Sequence, residues 1–409
     1  MAPRGRGFRG RGRGRGGGSG GGGRGMHGHI PQEKFEYNVC KFFVQGTCTH
    51  GANCHHDHIV SQLAEVSVAS NRTSVNGIAQ WGGEAKVLTC SGDGRVSLYS
   101  SQDGETWNMG VQVEFHNRLP VAAILEADNF LFCGYEGPYV HAVPPHGSRT
   151  PAVTVGMLRV LNLGGGAEVE VVIDADKAPY AHPQRVNCLC LGSVSGAPIL
   201  FSGGEEGTIR LWEAQGADFR LVKTLEGHVR GITALVFTGN RLWSASKDTT
   251  IRVWDIGTAT CVGVIAGAAG VGHGNEITSM AGPIKQEGDQ TEYIVSGSLD
   301  QSIRVWDTLS GEKVHELNCH ANITALACVE SPVGPLVLLG MDDGTIAVRD
   351  FPGFSLAFEL NSAIFRVGHR MSPVQTVVPL RIEGPLGKVY FMSGADDGKL
   401  ICWCMHLAP

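Results

Sequence analysis

An all-β chain built from a repeated unit, preceded by a small cysteine–histidine module and an arginine–glycine tail, is what this sequence predicts. Three observations carry the prediction. From residue 63 onward, short alternating runs recur, most of them ending in tryptophan. Three cysteines and one histidine stand at the spacing C-x7-C-x5-C-x3-H between residues 40 and 58. Residues 1–25 are almost only arginine and glycine. At 409 residues the chain is long enough for one large domain beside small modules.

The tail comes first. Arg-Gly pairs begin at Arg4, Arg6, Arg9, Arg11, Arg13, Arg15 and Arg24, and no acidic residue precedes Glu33. Such a segment has no apolar surface to bury, so residues 1–32 are expected to be disordered. Its arginines combine attraction to phosphate with guanidinium stacking on bases, and it resembles the RGG tails of RNA-binding proteins. Subtracting those seven arginines from the net charge of −6 leaves −13 for the rest of the chain. A body of that sign does not wrap nucleic acid nonspecifically, so such affinity belongs to the N-terminal end.

Next stands Cys40-Lys-Phe-Phe-Val-Gln-Gly-Thr-Cys48-Thr-His-Gly-Ala-Asn-Cys54-His-His-Asp-His58. A Cys3His set satisfies tetrahedral zinc and leaves no open position for a substrate, which makes the expected site structural. About twenty residues cannot bury a core of their own, so one zinc ion must supply the folding free energy, about 10–16 kcal/mol in small zinc peptides. A disulfide reading fails because three cysteines leave one unpaired. Residues 34–58 resemble the CCCH zinc-finger family, whose members mostly bind single-stranded RNA. His55 and His56 also lie within reach of a metal, and the family spacing selects His58 as the fourth ligand. The resemblance implies base-stacking positions at Phe43, His50 and His56, with Lys41 beside them, in a finger spanning residues 34–60.

The repeats follow. The best copies are Ser-Ala-Ser-Lys-Asp-Thr-Thr-Ile-Arg-Val-Trp-Asp at 244–255 and Ser-Gly-Ser-Leu-Asp-Gln-Ser-Ile-Arg-Val-Trp-Asp at 296–307. Residues 202–213 match nearly as well, and weaker copies lie at 89–99, 340–350 and 393–403. Each contains two alternating strands joined by a tight acidic turn. These copies resemble the WD40 repeat, which implies a β-propeller of four-stranded blades over residues 63–406. Seven blades result if a degenerate one lies between 110 and 173. There, 130–134 reads as an inner strand, and its partner is either 139–143 or 157–162. The second is preferred, because Leu-Arg-Val-Leu-Asn parallels Ile-Arg-Val-Trp-Asp, and it leaves 135–156 as an insertion.

The last tryptophan, Trp403, belongs to a third strand, so the final blade lacks its outer one. Residues 63–69 alternate and can fill that edge, closing the ring and pinning the finger near the last blade. His228, Ser244, Asp248 and Trp254 form a set that recurs as His273, Ser296, Asp300 and Trp306, and again as His369, Ser393, Asp397 and Trp403. By resemblance to WD40 repeats these are structural tetrads, since a catalytic triad would occur once, at one pocket. Copies lacking the set, such as that with Leu339 in place of serine, are expected to be locally looser.

No phosphate loop, H-E-x-x-H or G-x-S-x-G is present, and no enzyme is expected. Nor does any apolar run approach eighteen residues, so no membrane span is expected. Twelve cysteines suit a reducing interior, with pairs such as Cys188/Cys190 and Cys402/Cys404 acting as small packing residues. One finger followed by a propeller looks like a zinc-finger/WD40 family found chiefly in plants, and Asp350-Phe-Pro-Gly-Phe354 resembles a segment of that family. The implied protein is a monomeric intracellular adaptor, nuclear or cytoplasmic, that binds single-stranded RNA and offers its propeller to a protein partner. Two alternatives stand beside it. One is a protein scaffold whose finger binds no RNA. The other is a ubiquitin-ligase substrate receptor, although Trp254-Asp-Ile-Gly and Trp306-Asp-Thr-Leu lack the Trp-Asp-x-Arg ending that such receptors carry.

Overall fold

A computed structural model describes residues 39–407 except 69–72, 84, 115–118, 139–153, 165–167, 170–179, 195, 216–217, 268–269, 286–289 and 383–386. The arginine–glycine tail therefore lies outside the described residues. The rest forms a seven-bladed β-propeller of seven four-stranded antiparallel sheets. Blades 1 to 6 span residues 75–114, 121–169, 186–225, 232–265, 277–318 and 323–360. Blade 7 joins residues 374–406 to the N-terminal strand Val60–Ser67, which takes its outer edge. Among the described residues no helix is long and apolar enough to cross a membrane.

The closing strand pairs antiparallel with Lys399–His406, from Val60 opposite Met405 to Ser67 opposite Lys399. It begins at Val60, three residues earlier than the alternation alone indicates. In blade 2, the strand Phe130–Pro138 pairs with Thr154–Asn162, so the partner is the one containing 157–162. Pairing continues to Pro138 opposite Thr154, and the insertion is shorter than 135–156 by the residues at both ends. The alternative partner 139–143 lies outside the described residues.

Every innermost strand carries the same irregularity. Its register with the next strand shifts near the strand's start, across Asn76, Ala122, Asn187, Thr233, Thr278, Thr324 and Gln375, and blade 5 shifts a second time between Ala281 and Ile284. A bulged residue is free of its own ladder and can be re-aimed. These seven line the central channel. Five reach the next blade: Asn76 donates to the Val121 carbonyl at 2.8 Å and Asn187 to that of Ile232 at 3.0 Å. Thr233, Thr278 and Thr324 donate to Ile277, Ile323 and Val374 at 2.7, 2.6 and 2.6 Å. The seam between blades 2 and 3 lacks this bond because Ala122 has nothing to donate.

Close approach between blades also demands glycine. A Cβ on Gly203 would stand 2.7 Å from Ile232, and one on Gly297 only 2.4 Å from Ile323. The tryptophans Trp212, Trp306 and Trp403 are almost wholly buried and fill the spaces between sheets. Cys402 and Cys404 pack there too, and burial pushes their thiols up to about 12 and about 11.

The repeated polar sets sit inside this apolar frame. His228 Nδ1 lies 2.8 Å from Asp248, its Nε2 lies 2.8 Å from Ser244 Oγ, and Trp254 Nε1 donates to the same oxygen at 2.8 Å. A carboxylate only accepts, so Nδ1 carries the proton. His273 repeats this with Asp300 at 3.0 Å and Ser296 at 2.7 Å, and Trp306 closes on Ser296 at 2.8 Å. In blade 7, His369 meets Asp397 at 3.1 Å and Ser393 at 2.7 Å, with Trp403 on Ser393 at 2.9 Å. A fourth set in blade 3 escaped the sequence reading: His182 meets Ser202 at 2.7 Å and Glu206 at 2.5 Å, and Trp212 donates to Ser202 at 2.8 Å. Glutamate in the aspartate position hid it. The constant ten-residue step from serine to tryptophan was the signal that could have revealed it. All four serines are fully buried, out of reach of any substrate.

Burial opposes ionisation of Asp248 and Asp300. Hydrogen bonds from the tetrad histidine and from Thr250 or Ser302 outweigh it and hold both carboxyls well below the usual range. A depressed folded-state value means that this stabilisation is present above the ordinary aspartate value of about 4 and is lost as pH falls below it. Asp248→Asn is expected to cost about 1–3 kcal/mol at neutral pH, the scale of a disrupted buried hydrogen bond. Thermal unfolding followed against pH should show its gap to wild type narrowing below about pH 4. Thr233→Val, which keeps the shape but strands the Ile277 carbonyl, is expected to cost about 1–2 kcal/mol in denaturant unfolding.

Candidate metal centre and its seat on the propeller

Short helix α1, Lys41–Val44, starts at Cys40, whose sulfur caps it by accepting from the Phe43 amide at 3.4 Å. A single 3-10 turn, Gly51–Asn53, then carries the chain to Cys54. The Cys40 amide donates to the Asp57 carbonyl at 2.9 Å, drawing the two ends of the loop together. These constraints bring Cys40, Cys48, Cys54 and His58 to one point, with their ligand atoms all within 4.8 Å of one another.

The donor set fits a tetrahedral ion. Metal–sulfur bonds of about 2.3 Å imply sulfur–sulfur edges of about 3.8 Å. Cys54 Sγ lies 3.6 Å from Cys40 Sγ and 3.9 Å from Cys48 Sγ. His58 Nε2 is buried with no hydrogen-bond partner. A buried imidazole nitrogen without a hydrogen-bond partner, in a residue clustered with three thiols, is a donor suited to a metal. The backbone amide at His50 holds the Cys48 thiol below its ordinary value, while burial and the neighbouring sulfurs hold that of Cys54 above it. His55 and His56 are exposed and stand outside the cluster.

The expected base-stacking positions divide. His50 and His56 are exposed, and Lys41 is half-buried. Phe43 is half-buried. Its ring stacks on His58 at 4.1 Å and 6° and meets the edge of His406 at 5.3 Å. One face is thus occupied by His58, because the third residue of α1 turns inward behind the cluster. Its neighbour Phe42 is 58% exposed, and this reversal was invisible in the spacing.

The module is seated on the outer rim of blades 6 and 7. Val44 is fully buried in a cluster with Phe358, Leu360, Phe365, Trp403 and Met405. Gln45 Nε2 donates to the Phe365 carbonyl at 2.6 Å, and the His406 amide donates to the Ile59 carbonyl at 2.5 Å.

Comparison with known proteins agrees with this architecture. The WD domain, G-beta repeat family matches residues 177–213, 219–255 and 261–307. "Zinc finger CCCH domain-containing protein 17" of Oryza sativa subsp. japonica is 26% identical over 380 residues, 91% of this chain and 74% of that protein. "Zinc finger CCCH domain-containing protein 59" of Arabidopsis thaliana is 23% identical over 90% of this chain and 67% of its own length. Among solved structures, the WD40 β-propeller domain of Doa1 superposes with a TM-score of 0.59 at 17% identity, covering 84% of this chain and 96% of that one. With WD40 repeats behind a Cys3His cluster, the chain is similar along nine-tenths of its length to plant CCCH zinc-finger proteins.

Proposed function

We propose that this protein is a zinc-dependent adaptor for single-stranded RNA, with the finger and the arginine–glycine tail holding the nucleic acid and the propeller engaging a protein partner. The observation that carries it is the convergent Cys3His cluster with His50 and His56 exposed beside it. Cys40, Cys48, Cys54 and His58 would hold one zinc ion, whose closed shell organises the loop and does no chemistry on a substrate. Imidazole rings can stack on unpaired bases, while Lys41 and the tail arginines supply attraction to phosphate. The tail is joined to the finger by about fifteen residues, so its contacts become intramolecular once the finger is bound.

One observation favours a second reading, a protein scaffold whose finger binds no RNA. Phe43 is engaged behind the metal site and cannot offer both faces to a base. On that reading the Cys3His module is a structural part of the propeller rim.

Two measurements test these assignments. Metal analysis of the full chain is expected to give one zinc, retained in His55→Ala and His56→Ala and lost in Cys54→Ser. A tightly held zinc in Cys54→Ser would refute the ligand set. RNA titrations over a range of salt separate the nucleic-acid contributions. Replacing His50 and His56 by alanine should weaken binding by about tenfold or more, as expected for lost stacking, and should leave the salt slope unchanged. Deleting residues 1–25 should flatten that slope, because fewer counterions are released. Full-strength binding after both changes together would place the RNA site on the propeller, and no binding by the intact chain would favour the scaffold.

A further inference from the structure

We infer that the metal-bound module is the clasp of the propeller ring, so that loading of the Cys3His site controls whether blade 7 is closed. This stands apart from the RNA reading, because it concerns only how the chain's two ends are held.

There is no spacer between the fourth ligand and the closing strand. His58 is followed by Ile59 and Val60, both buried in the core of the rim, and Val60 is already paired with Met405. Fixing His58 therefore fixes the first rung of the strand that closes the ring. The second hold comes from α1. Val44, fully buried, occupies the cluster between blades 6 and 7, and Gln45 is bonded to Phe365 in the short helix Ser362–Phe365 that links those blades. A third contact ties the closing strand to the same linker, where the Gly368 amide donates to Gln62 Oε1 at 3.3 Å.

A four-residue helix cannot persist by its own hydrogen bonds, since isolated helices need about 12–15 residues to be even marginal. The loop from 40 to 58 is organised around the ligand point, with Cys40 capping α1 and Phe43 stacked on His58. Without the ion, α1 loses the anchor that places Val44 and Gln45, and three thiols and an unpaired nitrogen are left to repack or take up water. The strand Lys399–His406 would then keep its inner partner and lose support for its outer one. Blades 1 to 5 give no residue to the cluster that holds Val44.

Hydrogen–deuterium exchange on the full-length protein tests the inference, with and without a zinc chelator. Amides in residues 60–67 and 399–406 are expected to exchange about tenfold faster or more once the metal is removed, a change that corresponds to about 1.4 kcal/mol of local opening. Amides of the blade 4 hairpin, residues 241–255, should not change. Val44→Ala and Gln45→Ala, which spare every ligand, should speed exchange in the same two segments while zinc remains bound by metal analysis. Unchanged exchange in 60–67 after chelation would overturn the clasp. So would an equal rise across all blades, which would mean that finger and ring unfold as one unit.

Discussion

Ring closure is the constraint on which the rest of this molecule depends. The chain's two ends meet in one blade, where a three-stranded C-terminal sheet is completed by the N-terminal strand. One antiparallel pair, Val60–Ser67 on Lys399–His406, joins them, and its residues lie more than 330 positions apart in sequence. Loop closure over that distance is entropically unfavourable, though the cost grows only slowly with length. It is offset by burial of Val60, Trp403 and Met405, all fully inside. The same pairing decides where the Cys3His module sits, since two residues after His58 the chain is already in the sheet.

Within the ring, polar groups are used only where they can be completed. The bulge at each inner strand frees one side chain from its own blade, and in five blades that side chain is spent on the next blade's carbonyl. The tetrads solve the matching problem deeper in the sheet, where a buried tryptophan N–H and a serine hydroxyl each need a partner. Blade 6 has no such serine, and its Leu339 is simply buried, while Asn322 donates to Asp342 at 2.7 Å to tie the loops. Blade 1 carries Thr89 and Tyr99 at the serine and tryptophan steps, and Thr89 Oγ1 is buried without a hydrogen-bond partner among the described residues. Polar completeness therefore varies around a ring whose backbone is regular.

The fold was legible in the sequence because its information is local and repeated. Alternation, the acidic turn and the tryptophan recur within about fifteen residues, and each copy supports the others. The convergence of Cys40, Cys48, Cys54 and His58 was legible from their spacing for the same reason. What stayed hidden depends on neighbours distant in sequence. Asn76 and Thr233 look like ordinary strand residues until the next blade supplies a carbonyl. His182 lacks the expected aspartate and is recognised only through Glu206 and Ser202. Phe43 has the right type and spacing for stacking on a base, but which way the third residue of α1 points is decided by His406, from the far end of the chain. The start of the closing strand at Val60 was missed because its first residues are set by Met405 and Cys404 as well as by alternation.

That dependence bears on what a single finger can accomplish. A loop of about twenty residues offers few contacts, and association entropy offsets much of what they contribute. Mounting the loop on a rigid rim reduces the ordering cost, because α1 and the turn before Cys54 are held before any ligand arrives. The body behind it carries net negative charge once the arginines of the tail are set aside, which disfavours nonspecific wrapping of a polyanion. Under the proposed function, recognition is then confined to one edge of the molecule, beside the seam of blades 6 and 7. The rest of the propeller surface is left for contacts of another kind, and the two activities would be coupled only through the strand that both ends of the chain share.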